Sequence, residues 1–210
     1  MKKKILCATL LLFLITMACT AAHAQSNILI AYFSRVGNTD FPPKTDTDTR
    51  ASINVTKSGI EGNTEHIARM IQSSIGGDLH LIKTERTYRV NYKSLVDDAK
   101  REGDEGARPS LAGKTLDMNA YDIVFIGFPN WWYDMPMAVY TFLETYDLSG
   151  KTIIPFVTHG GSGFSDTRES IAVLEPGAKL LSGLSIYGRA AAGVRQKEID
   201  DWLKGLGLKG

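Results

Sequence analysis

The stretch Asp122-Ile123-Val124-Phe125-Ile126-Gly127-Phe128-Pro129-Asn130-Trp131-Trp132 decides how this chain is to be read. Six apolar or glycine residues in a row, Ile123 to Phe128, form a strand buried on both faces, since a strand with one wet face would alternate apolar and polar residues. Gly127-Phe128-Pro129 stops it. Two tryptophans then follow in what must be a loop, where bare aromatic surface is costly.

Outward from this strand the same grammar repeats. Asn27 to Phe33 reads as a strand of the same doubly buried kind, and Leu79 to Ile82 and Thr152 to Thr158 as two more. Leu180 to Tyr187 holds a short fifth strand. Between them lie helical patterns. Ile67, Met70 and Ile71 set the apolar stripe of a helix from Glu65 to Ser74, which Gly76-Gly77 ends; Leu95, Val96 and Ala99 set that of a polar helix from Asn91 to about Gly103. Pro136 opens a helix that runs to about Tyr146, at a position proline favours. Thr167 to Leu174 and Arg195 to about Lys204 supply two more. Strands alternating with helices predict an α/β fold, a five-stranded parallel sheet covered on both faces. Right-handed crossovers favour the doubly wound order 2-1-3-4-5. In such sheets ligands sit beyond the carboxyl ends of the strands, so function is expected just after Phe33, Phe128 and Thr158.

The N-terminus carries a different message. Lys2-Lys3-Lys4, an apolar run from Ile5 to about Ala18 and the triplet Ala22-His23-Ala24 describe a secretory signal peptide, residues 1–24. The run is shorter than the roughly 20 residues a spanning helix needs. Thr16-Met17-Ala18 before Cys19 is a poor lipobox. The mature chain, a single domain over 25–210, is therefore expected to be periplasmic or secreted, with no membrane span. Cleavage after Ala24 removes both cysteines, Cys7 and Cys19, and with them any disulfide or thiolate chemistry. It also removes three lysines and no acid, taking 24 basic residues to 21 against 23 acidic. There is no basic block to follow a phosphate backbone, which argues against nucleic acid.

Three loops carry candidate chemistry. Ser34-Arg35-Val36-Gly37-Asn38-Thr39 leaves the first strand, and a second Gly-Asn-Thr, Gly62-Asn63-Thr64, stands directly before the helix near Glu65. A helix N-terminus offers unpaired N–H groups and the positive end of a dipole; glycine permits close approach, and hydroxyls donate without charge. Ser34, Asn63 and Thr64 can thus wrap a terminal phosphate, with Gly62 letting the backbone approach and Arg35 adding to the first copy. Asn63 or Thr64 as a plain N-cap is the competing reading. The two copies also compete, and the second is preferred because it abuts the helix. The segment 40–61 between them, rich in Thr, Asp, Pro and Lys, interrupts the loop. No Gly-Lys-Ser/Thr and no G-x-G-x-x-G occurs here, against a nucleotide-hydrolysing P-loop and a dinucleotide site.

Pro129-Asn130-Trp131-Trp132 after the third strand either plugs the core or walls a flat ligand; consecutive side chains cannot all face one core, so one ring should face the cleft. His159-Gly160-Gly161-Ser162 after the fourth strand presents accessible N–H groups suited to an edge that gains negative charge, as a flavin pyrimidine does on reduction. His159 serves the same end if protonated, or is an ordinary loop histidine. Gly160-Gly161-Ser162-Gly163-Phe164 lacks the last glycine of G-x-S-x-G, against a hydrolase. The histidines are too scattered for a metal site.

Ala31-Tyr32-Phe33-Ser34, Gly62-Asn63-Thr64-Glu65, Gly127-Phe128-Pro129-Asn130-Trp131-Trp132 and Thr158-His159-Gly160-Gly161-Ser162-Gly163 together resemble the flavodoxins, and more closely a flavodoxin-like family with exported bacterial members. The resemblance implies a flavodoxin-like fold, noncovalently bound FMN and redox work. By position it implies Ser34, Asn63 and Thr64 as phosphate ligands, Pro129 to Trp132 as one ring loop and His159 to Ser162 as the other. The chain departs from that pattern in its split phosphate loop and its near-balanced charge; typical flavodoxins are strongly acidic, so docking to a basic cytoplasmic reductase does not carry over. An electron carrier working with redox proteins or small electron acceptors is the expected function. An FMN-dependent NAD(P)H:quinone-type reductase and a cofactor-free binding module on the same scaffold are the alternatives.

Overall fold

The computed structural model describes residues 27–42, 52–56 and 59–210. The signal-peptide reading of residues 1–24 lies outside them.

Strand β1 (Ile28–Tyr32) is buried at every position. It runs parallel between β4 (Asp78–Leu81) on one side and β7 (Ile123–Pro129) on the other. Next to β7 lies β8 (Thr152–His159), and beyond it β10 (Leu184–Tyr187), all parallel. The order β4-β1-β7-β8-β10 is the 2-1-3-4-5 order expected from the alternation of elements.

The period-two geometry of strands sorts the core into two layers. Leu29, Ala31 and Phe33 face one layer, together with Val124, Ile126 and Phe128. Ile28, Ile30 and Tyr32 face the other, with Phe125 and Phe156. Helices α2 (Tyr92–Asp104), α3 (Met137–Thr145) and α4 (Thr167–Leu174) cover the first layer through Leu95, Phe142 and Ile171. Helices α1 (Asn63–Ile75) and α5 (Gln196–Gly205) cover the second through Ile67, Ile71, Ile199 and Leu203. This is the double winding that the doubly apolar strands predict.

Three features escape the sequence reading. Part of 40–61, read as an interruption without strand pattern, is an antiparallel hairpin of β2 (Ile53–Thr56) and β3 (Gly59–Gly62), and Gly62 leads directly into α1. A two-residue ladder joins β5 (Lys83–Thr84) to β6 (Leu111–Ala112). The fifth strand is not continuous over 180–187: β9 (Lys179–Leu180) pairs with the start of β8 and β10 with its end. Pro155 explains the gap. Alternate residues of a strand send their peptide groups to the same neighbour, and the Ile153 carbonyl accepts from Leu181 N–H at 2.9 Å. Pro155 therefore faces the same edge with no N–H to give, and the ladder resumes only beyond it.

Candidate functional site

The two Gly-Asn-Thr copies do different work. In the first, Asn38 is buried and fully engaged. Its Nδ2 donates to the carbonyls of Ser34 (2.9 Å) and Ile82 (3.0 Å), while its Oδ1 accepts from Thr84 N–H (2.8 Å) and Thr84 Oγ1 (3.0 Å). Its own carbonyl accepts from Tyr88 N–H. Asn38 thus ties the loop after β1 to the end of β4 and to β5, and its amide has nothing left for a ligand. Gly37 is held at φ +88, which glycine tolerates.

The second copy is built for close approach. Gly62 is the N-cap of α1, with no side chain capping it, so Asn63 and Thr64 are helical residues and neither is the cap. Asn63 N–H donates to the Ser52 carbonyl at 3.1 Å. A Cβ placed on Gly62 would stand 1.9 Å from Ser34 Oγ. That hydroxyl is buried and has no hydrogen-bond partner among the described residues. A buried orphan hydroxyl carries a desolvation cost, and orphans of this kind concentrate at ligand sites. Here it lies against an uncapped helix N-terminus, where a bound phosphate would satisfy it. Thr64 Oγ1 meets Thr158 Oγ1 at 2.8 Å, joining the first turn of α1 to the end of β8.

The two tryptophans part company. Trp131 turns inward and meets the rings of Phe33 and Tyr88 edge to face, at 5.2 and 5.4 Å. Trp131 N–H donates to the Asp134 carbonyl and Asp134 N–H to that of Trp131. The two-residue turn so closed puts Trp132 and Tyr133 at φ 55 and 66. Such backbone is uncommon for bulky residues and needs support around it. Trp132 gets it from α2: its Nε1 donates to the Val96 carbonyl at 3.0 Å, and Lys100 Nζ lies 5.7 Å from its ring. Trp132 is 52% exposed and Tyr133 72%. One ring therefore plugs the core and the other walls a cleft. Asn130 is a clamp: its N–H donates to the Thr158 carbonyl, and its Nδ2 to the Gly163 carbonyl (3.1 Å) and Ser165 Oγ (3.2 Å).

The cleft between these parts has a volume of about 200 Å³. Pro129 to Trp132 form one wall and Thr158 to Gly160 another. Tyr92, Leu95, Val96 and Ala99 of α2 close the third side, and Ser52 of the inserted segment reaches its edge. Gly161 and Ser162 do not line it; with Tyr133 they border a shallower opening beyond Trp132. Thr158 lines the cleft and bonds Thr64, which ties the α1 N-terminus to the cleft wall, although Ser34, Gly62, Asn63 and Thr64 do not themselves line the cleft. Arg35 points elsewhere, toward Val90 and Phe41.

His159 is held in one role. Its Nδ1 accepts from Gly161 N–H at 3.0 Å, and burial lowers its basicity. A nitrogen that accepts a backbone N–H cannot carry a proton itself, so the ring is neutral and presents Nε2–H as its donor. Thr158 and the α2 wall were not singled out from the sequence. Leu95, Val96 and Ala99 were legible only as an apolar stripe, which core and cleft share. Among the described residues no cluster of His, Cys, Asp or Glu fits a metal ion, and no helix is long and apolar enough to cross a membrane.

A flavodoxin family model matches residues 52–206. The chain belongs to the flavodoxin family. Among solved structures, this flavodoxin is similar to a candidate flavoprotein from Bacteroides eggerthii DSM 20697, at 28% identity over 87% of this chain and 98% of that one, with a TM-score of 0.63. A second, from Bacteroides uniformis ATCC 8492, shares 26% identity over 85% and 98%, also with a TM-score of 0.63. A Lactobacillus acidophilus NCFM flavoprotein in complex with FMN shares the fold at 19% identity over 75% and 91%, with a TM-score of 0.54. No curated protein sequence gives a significant match to this flavodoxin.

Proposed function

We propose that this flavodoxin binds one FMN noncovalently and carries electrons between redox partner proteins or small acceptors, in the periplasm or outside the cell. The observation that carries the reading is the partnerless Ser34 hydroxyl against the glycine-capped start of α1. Ser34, Asn63 and Thr64 would hold the phosphate there, and the ring would lie by Trp132 between the α2 wall and His159-Gly160. The FMN-bound member of the same fold supports the choice of cofactor. When bound, FMN supplies the redox chemistry; the chain supplies position, exclusion of water and donors. Gly160 backbone and the neutral His159 Nε2–H are the donors available to a ring edge that gains negative charge.

The exposed aromatic edge of the site, with Trp132 52% and Tyr133 72% exposed, supports a carrier over a reductase. Helix α2 closes one side, and Trp132 is fastened to it by the Val96 carbonyl. No nicotinamide fingerprint stands in the sequence, and an electron can leave by the exposed edge near Tyr133 without a second substrate beside the flavin. The test is a visible spectrum of protein purified from the extracytoplasmic fraction, followed by denaturation. Flavin absorption bands that leave with the small-molecule fraction support the reading. Colourless protein that fails to quench added FMN overturns it. Steady NAD(P)H oxidation coupled to a quinone replaces the carrier with the reductase.

A further inference from the structure

An aromatic pair joins the cleft to a second cavity. Trp131 lines the cleft, and its ring meets that of Tyr88 edge to face at 5.4 Å. Phe33 packs on both, 5.2 Å from the Trp131 ring and 5.8 Å from that of Tyr88, and is buried. Tyr88 is itself buried, and it borders a cavity of about 370 Å³ between α2 and the segments that flank the β5–β6 ladder. The Tyr88 phenol donates to Glu102 Oε2 at 2.9 Å, and Glu102 lines the same cavity.

Indole and phenol are the aromatic side chains that give up an electron most readily, and a phenol does so at low cost only when its proton leaves at the same time. A base within hydrogen-bond reach provides for that. Burial pushes the Tyr88 phenol above the ordinary tyrosine range, so it does not ionise unaided. Burial also raises the Glu102 carboxyl, against the opposing effect of the Tyr88 bond, so Glu102 holds an acquired proton more readily than an exposed glutamate does. Tyr121 and Tyr140 donate to carboxylates as well, those of Asp78 and Asp134. Among the described residues, however, Trp131 and Tyr88 are the one tryptophan–tyrosine pair in ring contact. Trp202 packs on Phe125 in the other core layer.

We propose that Trp131, Tyr88 and Glu102 form a relay that carries an oxidising equivalent out of the cleft to the second cavity. A small one-electron oxidant radical in the cleft takes an electron from the Trp131 ring and is reduced. The Tyr88 ring refills Trp131 with one electron, its O–H bond breaks, and the proton passes to Glu102 Oε2. Trp131 is restored, Tyr88 is left as a neutral phenoxyl and Glu102 as a carboxylic acid. In the second cavity a small one-electron reductant returns the electron to Tyr88, and Glu102 returns the proton. The sum of the steps is one electron moved from reductant to oxidant, and a radical formed in the cleft is drawn away from the residues that build it. The relay goes beyond the electron-carrier reading and needs no flavin in the cleft.

The experiment generates azide radicals, which oxidise indole rings, by pulse radiolysis of the purified protein and follows the indolyl and phenoxyl absorptions in time. Every protein carries Trp132→Phe, so that the exposed indole at the mouth does not compete. This parent is compared with Trp131→Phe, Tyr88→Phe and Glu102→Gln in the same background, each of which keeps a side chain of similar shape. The proposal expects phenoxyl growth in the parent that matches indolyl decay, at a rate independent of protein concentration and slower in heavy water. It expects that growth to vanish in Trp131→Phe and Tyr88→Phe and to slow by roughly tenfold or more in Glu102→Gln. Ascorbate, added as the reductant, should clear the phenoxyl faster as its concentration rises. Phenoxyl growth that persists in Tyr88→Phe, or that is missing from the parent, overturns the relay. An unchanged rate in Glu102→Gln overturns Glu102 as the proton acceptor, and a phenoxyl that ascorbate does not clear overturns the exit through the second cavity.

Discussion

Thr64 Oγ1 and Thr158 Oγ1 lie 2.8 Å apart across 94 positions of sequence, and this buried bond couples the helix end that would take a phosphate to the strand end that borders the ring cleft. Each hydroxyl can donate one hydrogen and accept more, so the pair holds one side chain against the other and leaves lone pairs free for a ligand. The two ends of the site are thereby kept at a fixed separation.

Thr158→Val keeps the shape and removes the bond. It leaves the Thr64 hydroxyl buried and unpaired, at a cost of about 1–3 kcal/mol. The expected result is a lower melting temperature and an FMN affinity reduced roughly tenfold, since 1.4 kcal/mol is a factor of ten. Titration by fluorescence quenching reads the affinity; unchanged affinity in a destabilised protein would show the bond to be structural alone.

Gly62→Ala fills the gap beside Ser34. The new methyl would collide with Ser34 Oγ, which can rotate away, and would crowd Ser34 Cβ at 3.2 Å. The fold should survive because the colliding atom ends a side chain. The hydroxyl would no longer aim at the helix N-terminus, so FMN binding is expected to weaken by tenfold or more with the melting temperature changed by only a few degrees.

Gly127→Ala separates fold from site. Gly127 lies within β7, and a methyl there would stand 2.0 Å from the Phe156 ring, which is packed in the core and cannot yield. Overpacking of this kind costs about 1–3 kcal/mol, or more where the neighbour is fixed. Denaturant unfolding should show a marked loss of stability. Residual folded protein should still bind FMN.

Glu175, just after α4, is buried, and that burial pushes its carboxyl up to about 7, opposed by a hydrogen bond from Leu148 N–H. A carboxyl raised on folding binds its proton more tightly in the folded state. The stability it contributes is full below the ordinary glutamate range and is lost as pH rises through about 7. Glu175→Gln should therefore melt at nearly the same temperature as wild type at pH 5 and a few degrees higher at pH 8. A constant difference between the two pH values would count against this account.

Much of this was legible in the chain. The apolar runs Ile28–Phe33, Ile123–Phe128 and Ile153–Val157 have no polar face, so both sides had to be covered, and that alone implies a doubly wound parallel sheet with its ligand site at the strand ends. Adjacent tryptophans could not share one environment, and Trp131 and Trp132 do not.

What the chain could not say is which of two identical tripeptides faces a ligand. Gly37-Asn38-Thr39 and Gly62-Asn63-Thr64 are the same three residues; the adjoining helix favours the second, and contacts distant in sequence show what each copy is bonded to. The β5 residue Thr84 and the Ile82 carbonyl consume the Asn38 amide, while the β2–β3 hairpin delivers Gly62 to Ser34. Periodicity reports which face a residue turns, because it depends on neighbours along the chain. Whether a polar group is already satisfied depends on partners across the sheet, and the closed fold alone settles that.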